Sequence, residues 1–254
     1  MSGDELDFAV RTAAEAGEIL LGKRHGELVV STKVSESDPV SDADRASEEH
    51  IVAAIRRCYP DDGVLGEEGT HVVGVSGRRW VIDPLDGTVN YLYGRDAFAV
   101  SIALEDADGV AVGVVHAPVR GDSYAARRGD GASRGEAPMG IARAASLAGC
   151  LLATGFSYES EKRVRQSQAL ASELGVMRDV RREGSAALDL ASVASGTCDL
   201  YYEEYIRPWD VAAGSALVTE AGGAVVTWDS APGYLGVAAG DAVRVRELLD
   251  LLGR

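Results

Sequence analysis

The sequence predicts a mixed fold, α+β in its first half and α/β in its second. Three observations carry this expectation. Apolar residues recur at helical spacing from Leu6 to Leu21, short apolar runs broken by Gly, Asp and Pro turns fill residues 64–126, and strand-like and helix-like stretches alternate beyond Gly149. The chain has 254 residues; at roughly 150 per typical domain, it suits one large or two small domains.

The first helix is read from Leu6, Ala9, Val10, Ala13, Ala16, Ile19 and Leu20, and it stops at Gly22 and Gly26. Gly17 shares the face of Ala13 and Leu20. It costs the helix about 1 kcal/mol against Ala, so a close packing contact is expected there. A second helix runs from Asp42 to Cys58, and Tyr59-Pro-Asp-Asp-Gly63 closes it as a turn. Strands follow at Val64-Leu65, Arg79 to Ile82, Ala97 to Leu104, Val110 to His116 and Ser123 to Ala126. The Gly-, Ser-, Pro- and Ala-containing stretch from Ala132 to Leu147 is the expected boundary, dividing the chain into residues 1–145 and 146–254. The second part reads as strand Leu151 to Ala153, helix Glu161 to Leu174, strand Met177 to Arg181, helix Ser185 to Ala194 and strand Asp199 to Tyr202. A helix from Val211 to Ala221, strands at Ala224 to Trp228 and Gly236 to Ala239, and a helix from Asp241 to Leu252 complete it.

Forty acids against 25 Lys and Arg leave a net charge of -15. That sign repels nucleic-acid phosphates and anionic lipid, so neither is an expected partner. Cys58, Cys150 and Cys198 are far apart, without CxxC spacing, which argues against a disulfide framework or zinc ribbon. With no basic segment before an apolar stretch and no apolar run of about 18 residues, a cytoplasmic protein that neither enters nor spans a membrane is expected.

The chemistry is concentrated in Trp80-Val-Ile-Asp-Pro-Leu-Asp-Gly-Thr-Val-Asn-Tyr91, where an apolar strand runs into two carboxylates and then Gly-Thr. Pro84 stiffens the turn, so Asp83, Asp86 and the Leu85 carbonyl can converge as the hard oxygen ligands that Mg²⁺ or Ca²⁺ prefers. Gly87-Thr88 would open a helical turn whose N–H groups suit an anion. Taken alone, the segment reads equally well as a polar turn. Two further acidic segments favour the metal reading: Leu65-Gly-Glu-Glu-Gly69 after a short strand, and Arg207-Pro-Trp-Asp210 entering a helix, with Asp210 expected at its N-cap.

With those residues in view, the chain resembles the inositol monophosphatase family of Mg²⁺-dependent, lithium-sensitive phosphomonoesterases. Trp80 to Tyr91 is similar to its first signature, Trp209 to Gly214 with Glu220 to Gly223 to its second, and Gly66 to Glu68 to its Gly-Glu-Glu segment. The resemblance covers nearly the whole chain. It implies an αβαβα layered sandwich, shared with fructose-1,6-bisphosphatases, and a homodimer. It also implies two to three Mg²⁺ ions: a first held by Glu67, Asp83 and the Leu85 carbonyl, a second by Asp83, Asp86 and Asp210, and a weaker third by Glu67. Four crowded carboxylates would repel one another unless cations neutralised them.

Lys33 to Asp44 is similar to the family segment whose last Asp pairs with the signature Thr, with Ser41 in place of the usual Thr. Carried over, Asp44 and Thr88, with Glu67, activate water, and the Gly87 and Thr88 amides hold phosphate. Asp42 reads as a helix-start charge. The expected reaction is in-line attack of water on a small polyol or sugar phosphate, inositol 1-phosphate first, without a covalent intermediate. The resemblance places Glu203, Ser185 and Ala186 at the leaving group, although Glu203 could equally be a solvated member of the pair Glu203-Glu204. Arg181, Arg182 and Arg207 could bind a second phosphate, which would suit a sugar or nucleotide bisphosphate. Tyr201, Tyr202 and Tyr205 could stack on a ring or pack in the domain interface, packing being the first reading, and His25, His50, His71 and His116 read as surface or core. A non-catalytic binding protein on the same fold is the alternative of another class.

Overall fold

The computed structural model describes residues 4–24, 30–32 and 39–254. His25 and the segment from Lys33 to Asp38 lie outside them. Helix α1 (Asp4–Lys23) is followed by an antiparallel ribbon of β1 (Val30–Thr32) and β2 (Pro39–Ser41), which leads directly into α2 (Asp42–Cys58). Next come β3 (Gly63–Gly66), β4 (His71–Val72), β5 (Arg79–Asp86) and the short helix α3 (Thr88–Leu92). The strands β6 (Ala99–Asp106), β7 (Gly109–Ala117), β8 (Asp122–Arg127), β9 (Gly131–Arg134) and β10 (Ala137–Pro138) complete an eight-stranded sheet in the order β10-β9-β8-β7-β6-β5-β3-β4. All its pairings are antiparallel except β3 with β5.

The second sheet has five strands. Its elements in chain order are β11 (Leu151–Thr154), α4 (Ser160–Glu173), β12 (Asp179–Arg181), α5 (Ala186–Ala194), β13 (Leu200–Ile206), α6 (Pro208–Glu220), β14 (Ala224–Ala231), β15 (Tyr234–Gly240) and α7 (Ala242–Leu251). The strand order is β12-β11-β13-β15-β14, with β11 parallel to both neighbours and β15 antiparallel to both of its own.

Side-chain alternation along the strands explains the layering. In β5, Trp80 and Ile82 point into a core built with Phe8, Leu20, Ile51 and Ile55 of α1 and α2, while Val81 between them points into a middle core with Leu190 of α5 and Leu217 of α6. In β13, Tyr201 enters that middle core from the other side, while Leu200 and Tyr202 join Leu170, Val245 and Leu248 beneath α4 and α7. Both sheets are therefore buried on two faces, giving the five-layer αβαβα sandwich. Full burial of a side chain such as Ile82 contributes about 1.5–3 kcal/mol.

Most expected elements stand within a residue or two of their predicted ends. The expected boundary region is partly structured, because β9 and the Ala137–Pro138 strand extend the first sheet. The helix expected from Val211 begins at Pro208, since proline at the first helical position has its φ already set for a helix. Asp210 is consequently the third helical residue and not the N-cap. Gly17 has the predicted contact: a Cβ there would lie 2.8 Å from Cδ2 of His116 and 3.1 Å from Cβ of Pro118. His116 is buried and its Nδ1 pairs with Ser123 Oγ at 2.8 Å, whereas His50 pairs with Glu15 at 2.9 Å near the surface. The three cysteines are free thiols. Among the described residues no helix is long and apolar enough to cross a membrane.

Candidate active site

Parallel pairing of β3 with β5 sets Gly66 beside Ile82, so the residues that follow, Glu67 and Asp83, emerge side by side from neighbouring strand ends. The Glu67 N–H donates to the Ile82 carbonyl at 3.2 Å. Asp83 and Asp86 are three apart, and strict alternation would send them to opposite faces of the sheet. The register against β6 slips between them: Asp83 faces Ser101, but Asp86 faces Ala99. This bulge at Pro84-Leu85 takes up the extra residue and returns both carboxylates to one side. Ser47 of α2, fully buried, donates to the Pro84 carbonyl at 2.8 Å, and the Leu85 N–H donates to Asp83 Oδ1 at 3.0 Å, so the bulge is held from both sides.

Gly87 then turns the chain with φ 97, a left-handed conformation that glycine adopts without strain, and caps α3. Thr88, the first residue of α3, donates its hydroxyl to Asp44 Oδ1 at 3.0 Å, with the Leu85 carbonyl an alternative acceptor at 3.1 Å. Asp44 is fully buried and also closes the capping box of α2, accepting the Ser41 N–H and hydroxyl on Oδ2. Burial raises its pKa, and the Ser41 and Thr88 hydrogen bonds oppose that. Asp42 pairs with Lys23 at 2.6 Å in the first turn of α2, as a helix-start charge.

The second half of the chain closes the site. Asp86 Oδ2 accepts from Ser185 Oγ at 2.6 Å and from the Ala187 N–H at 2.7 Å, joining the first sheet to the start of α5. Asn90 Nδ2 reinforces the joint, donating to the Ala97 and Glu183 carbonyls at 2.7 and 2.8 Å. Asp210 accepts the Arg207 N–H at 2.6 Å in the first turn of α6. Glu67, Asp83, Leu85, Asp86, Gly87, Thr88, Ser185, Ala186, Glu203 and Asp210 all line one cleft of about 340 Å³ between the two sheets.

The cleft is strongly acidic. Burial first, and then repulsion from Glu67, Asp86 and Asp210, holds the Asp83 carboxyl well above its ordinary range. Burial lifts Asp86 to about 6 against its hydrogen bonds from Ser185 and Ala187, while burial and the Glu67 charge push Asp210 well up. These carboxylates and the Leu85 carbonyl are hard oxygen donors, and three of them are oriented by main-chain N–H groups. That donor set fits Mg²⁺ chemically. Among the described residues, no three acidic, histidine or cysteine side chains are yet drawn together tightly enough to enclose an ion.

At the leaving-group end one alternative falls and one expectation changes. Glu203 is not solvated: it is buried, accepts the Tyr201 hydroxyl at 2.9 Å, and has its pKa lifted by burial to about 7. Glu204 is also buried, on the other side of β13, near Trp228 and Arg254. Arg181 does not line the cleft; at the exposed end of β12 it pairs with Asp179 at 2.6 Å, and the arginines that line the cleft are Arg182 and Arg207. Ser185 lines the cleft with its hydroxyl committed, donating to Asp86 and accepting the Leu188 N–H as the cap of α5.

Sequence reasoning misses Asp189 and ranks packing first for Tyr205. Asp189 lines the cleft from α5, where it is the one charged residue in Ala-Ala-Leu-Asp-Leu-Ala-Ser-Val-Ala. That lone charge is the signal that could have found it. Tyr205 is no core residue: it lines the cleft with φ 61, at the register shift of β13 against β15.

The inositol monophosphatase family model matches residues 4–252. The chain belongs to the inositol monophosphatase family. It is 38% identical over 252 residues to the Nus factor SuhB of Pasteurella multocida (strain Pm70), covering 96% of this chain and 94% of that protein. The crystal structure of the extragenic suppressor protein suhB from Bartonella henselae superposes with a TM-score of 0.90 at 33% identity, covering 98% of each chain. An inositol monophosphatase from Anabaena (Nostoc) sp. PCC 7120 superposes with a TM-score of 0.85 at 35% identity, covering 99% of this chain and 96% of that one. The family assignment and the layered fold agree with the sequence motifs.

Proposed function

We propose that this chain is a Mg²⁺-dependent phosphomonoesterase acting on a small polyol phosphate, with inositol 1-phosphate the leading substrate. The observation that carries the reading is the convergence of Glu67, Asp83, Asp86 and Asp210, from both halves of the chain, on one cleft beside the Thr88–Asp44 pair. Glu67, Asp83 and the Leu85 carbonyl would hold one Mg²⁺, Asp83, Asp86 and Asp210 a second, and Glu67 a weaker third. When bound, Mg²⁺ supplies Lewis-acid activation of water and neutralises charge on the phosphoryl oxygens.

The chain's own residues do the rest. Thr88 donates its proton to Asp44, which leaves lone pairs on its oxygen to accept a hydrogen bond from the attacking water. The Asp44 carboxylate stabilises the positive charge that develops as that proton moves. The N–H groups of Gly87 and Thr88, two residues that line the cleft at the left-handed turn into α3, would hold the phosphate. Glu203 and the Ser185-Ala186 segment face the departing alcohol.

The relatives' name, Nus factor, favours a second reading, a role other than hydrolysis carried by the same fold. A purely non-catalytic protein would have no use for four mutually repelling carboxylates crowded into one cleft, which is why hydrolysis is the leading reading. The test is phosphate release with and without Mg²⁺ from inositol 1-phosphate, fructose 1,6-bisphosphate and 3′-phosphoadenosine 5′-phosphate. One preferred, Mg²⁺-dependent substrate is the expected result. No turnover of any phosphomonoester with Mg²⁺ demonstrably bound would overturn it.

A further inference from the structure

Tyr205 is the strained residue of the cleft. Its φ is 61, and every other described residue with positive φ is a glycine. A side chain in that conformation costs energy and persists only where its surroundings over-determine it, and such residues cluster at binding and active sites. Here the Tyr205 N–H donates to Ser230 Oγ at 3.1 Å, and the register of β13 against β15 shifts between Glu204 and Ile206, on either side of it. Glycine would take the same turn without strain. What Tyr205 adds is a ring. The residue is half-buried and lines the cleft, so part of its surface stays open there.

That ring stands in aromatic company. Five of the 23 residues that line the cleft are aromatic, Phe156, Tyr158, Tyr205, Trp209 and Tyr234, in a chain that is only 6% aromatic. Tyr234 is firmly engaged: its hydroxyl donates to Glu159 Oε1 at 3.2 Å, while Lys162 Nζ lies 3.9 Å and the Arg207 guanidinium 4.0 Å from its ring centre. Glu159 in turn pairs with Lys162, which lies 5.5 Å from the Tyr205 ring centre. Tyr205 meets Tyr234 at 6.4 Å and 73°, an edge-to-face contact. The β14–β15 hairpin, through Tyr234, and α4, through Lys162, thus both brace the Tyr205 ring. A ring fixed in advance loses little freedom when a second flat ring stacks on it, whereas a puckered polyol offers it no π face.

We propose that Tyr205, braced by Tyr234 and Lys162, is a stacking platform in the cleft that selects phosphomonoesters whose alcohol carries a flat aromatic or heteroaromatic ring. This widens the alcohols of the reading above from polyols to ring-bearing ones, and it rests on that reading for the phosphate end. The backbone strain at Tyr205 is kept because a ring at this point of the wall contributes to binding what glycine could not.

Benzylphosphonate and cyclohexylmethylphosphonate test the platform, because in each a methylene replaces the ester oxygen and nothing is hydrolysed. One carries a flat ring and the other a puckered one, and burial alone favours the more apolar cyclohexyl group. Binding of each is measured by calorimetry with Mg²⁺ present on wild type, Tyr205→Phe and Tyr205→Gly, together with Tm. Wild type and Tyr205→Phe are expected to bind the flat ring about fivefold or more tighter. Tyr205→Gly is expected to lose that preference with Tm not lowered, since the strain leaves with the side chain. A preference absent from the wild type, retained by Tyr205→Gly or lost in Tyr205→Phe would overturn the platform. So would a lowered Tm in Tyr205→Gly, which would make the ring a packing element. If neither phosphonate binds, the phosphate end fails and the platform falls with the phosphomonoesterase reading; if both bind equally, the platform alone fails.

Discussion

Replacing Thr88 by Ala separates the two halves of the proposed chemistry, because Thr88 contributes no carboxylate yet holds the one hydrogen bond between α3 and Asp44. The structural cost is small. Asp44 loses a single donor at 3.0 Å but retains the Ser41 N–H at 2.9 Å and the Ser41 hydroxyl. One such bond in a buried network is worth about 1–3 kcal/mol, well within the stability of a domain of this size. The catalytic cost is larger: positioned general-base help is worth roughly 10²–10⁴-fold, or about 2.7–5.5 kcal/mol of barrier. The assay is kcat for inositol 1-phosphate at saturating Mg²⁺, with Mg²⁺ affinity from calorimetry on the same preparation. The expected outcome is a hundredfold or greater loss of about that size in kcat, with Mg²⁺ affinity changed by less than about threefold. A variant that keeps most of its kcat, or that loses rate and Mg²⁺ affinity together, would refute the division of labour between Thr88 and the carboxylates.

Asp83→Asn is expected to abolish turnover while leaving Tm no lower, since it removes a carboxylate repelled by Glu67, Asp86 and Asp210; retained activity or a collapsed melt would count against the site. For Asp210→Asn, Mg²⁺ titration of activity should shift to higher concentration more than KM for substrate does. Gly17→Ala gains about 1 kcal/mol of helix propensity but overpacks by about 1–3 kcal/mol. Because its Cβ would sit 2.8 Å from the buried His116 ring, the denaturation midpoint should fall, and a rise would show that the ring moves freely. Burial, opposed by Glu18 and Asp122, lowers the His116 pKa below 6.5 in the folded protein. The unfolded chain therefore takes up this proton first. The stability due to neutral His116 is complete above about pH 6.5 and is lost as pH falls through the folded value. Wild type should lose more Tm than His116→Asn between neutral and mildly acidic pH, and parallel curves would exclude that contribution.

The parts of the site carried by local spacing are legible in the sequence. Asp83, Asp86 and Thr88 sit in one signature, and Gly17 betrays its contact because a glycine in a helix needs a reason. Helix ends are legible where a turn or cap writes them, as at Cys58. What escapes is set by register and by partners distant in sequence. The bulge that turns Asp83 and Asp86 to one side depends on how β6 pairs with β5. That Arg182 and not Arg181 reaches the cleft depends on where β12 ends, a one-residue step that local spacing does not fix. The solvated alternative for Glu203 arises because it stands next to Glu204, yet the two point to opposite sides of a sheet and both are buried. Asp189 is hidden within an apolar helix whose other residues are core.

Asp86 is anchored by Ser185 and Ala187, and Asn90 by the Glu183 carbonyl, so the acidic cleft exists only where the two sheets are docked. The seam acts as a gauge of assembly. A slide of one layer past the other by even an ångström would scatter the carboxylates long before either sheet lost its hydrogen bonds. Activity should therefore fade ahead of circular dichroism during gentle denaturation, and bound Mg²⁺ should brace the two layers against sliding as much as it serves the reaction.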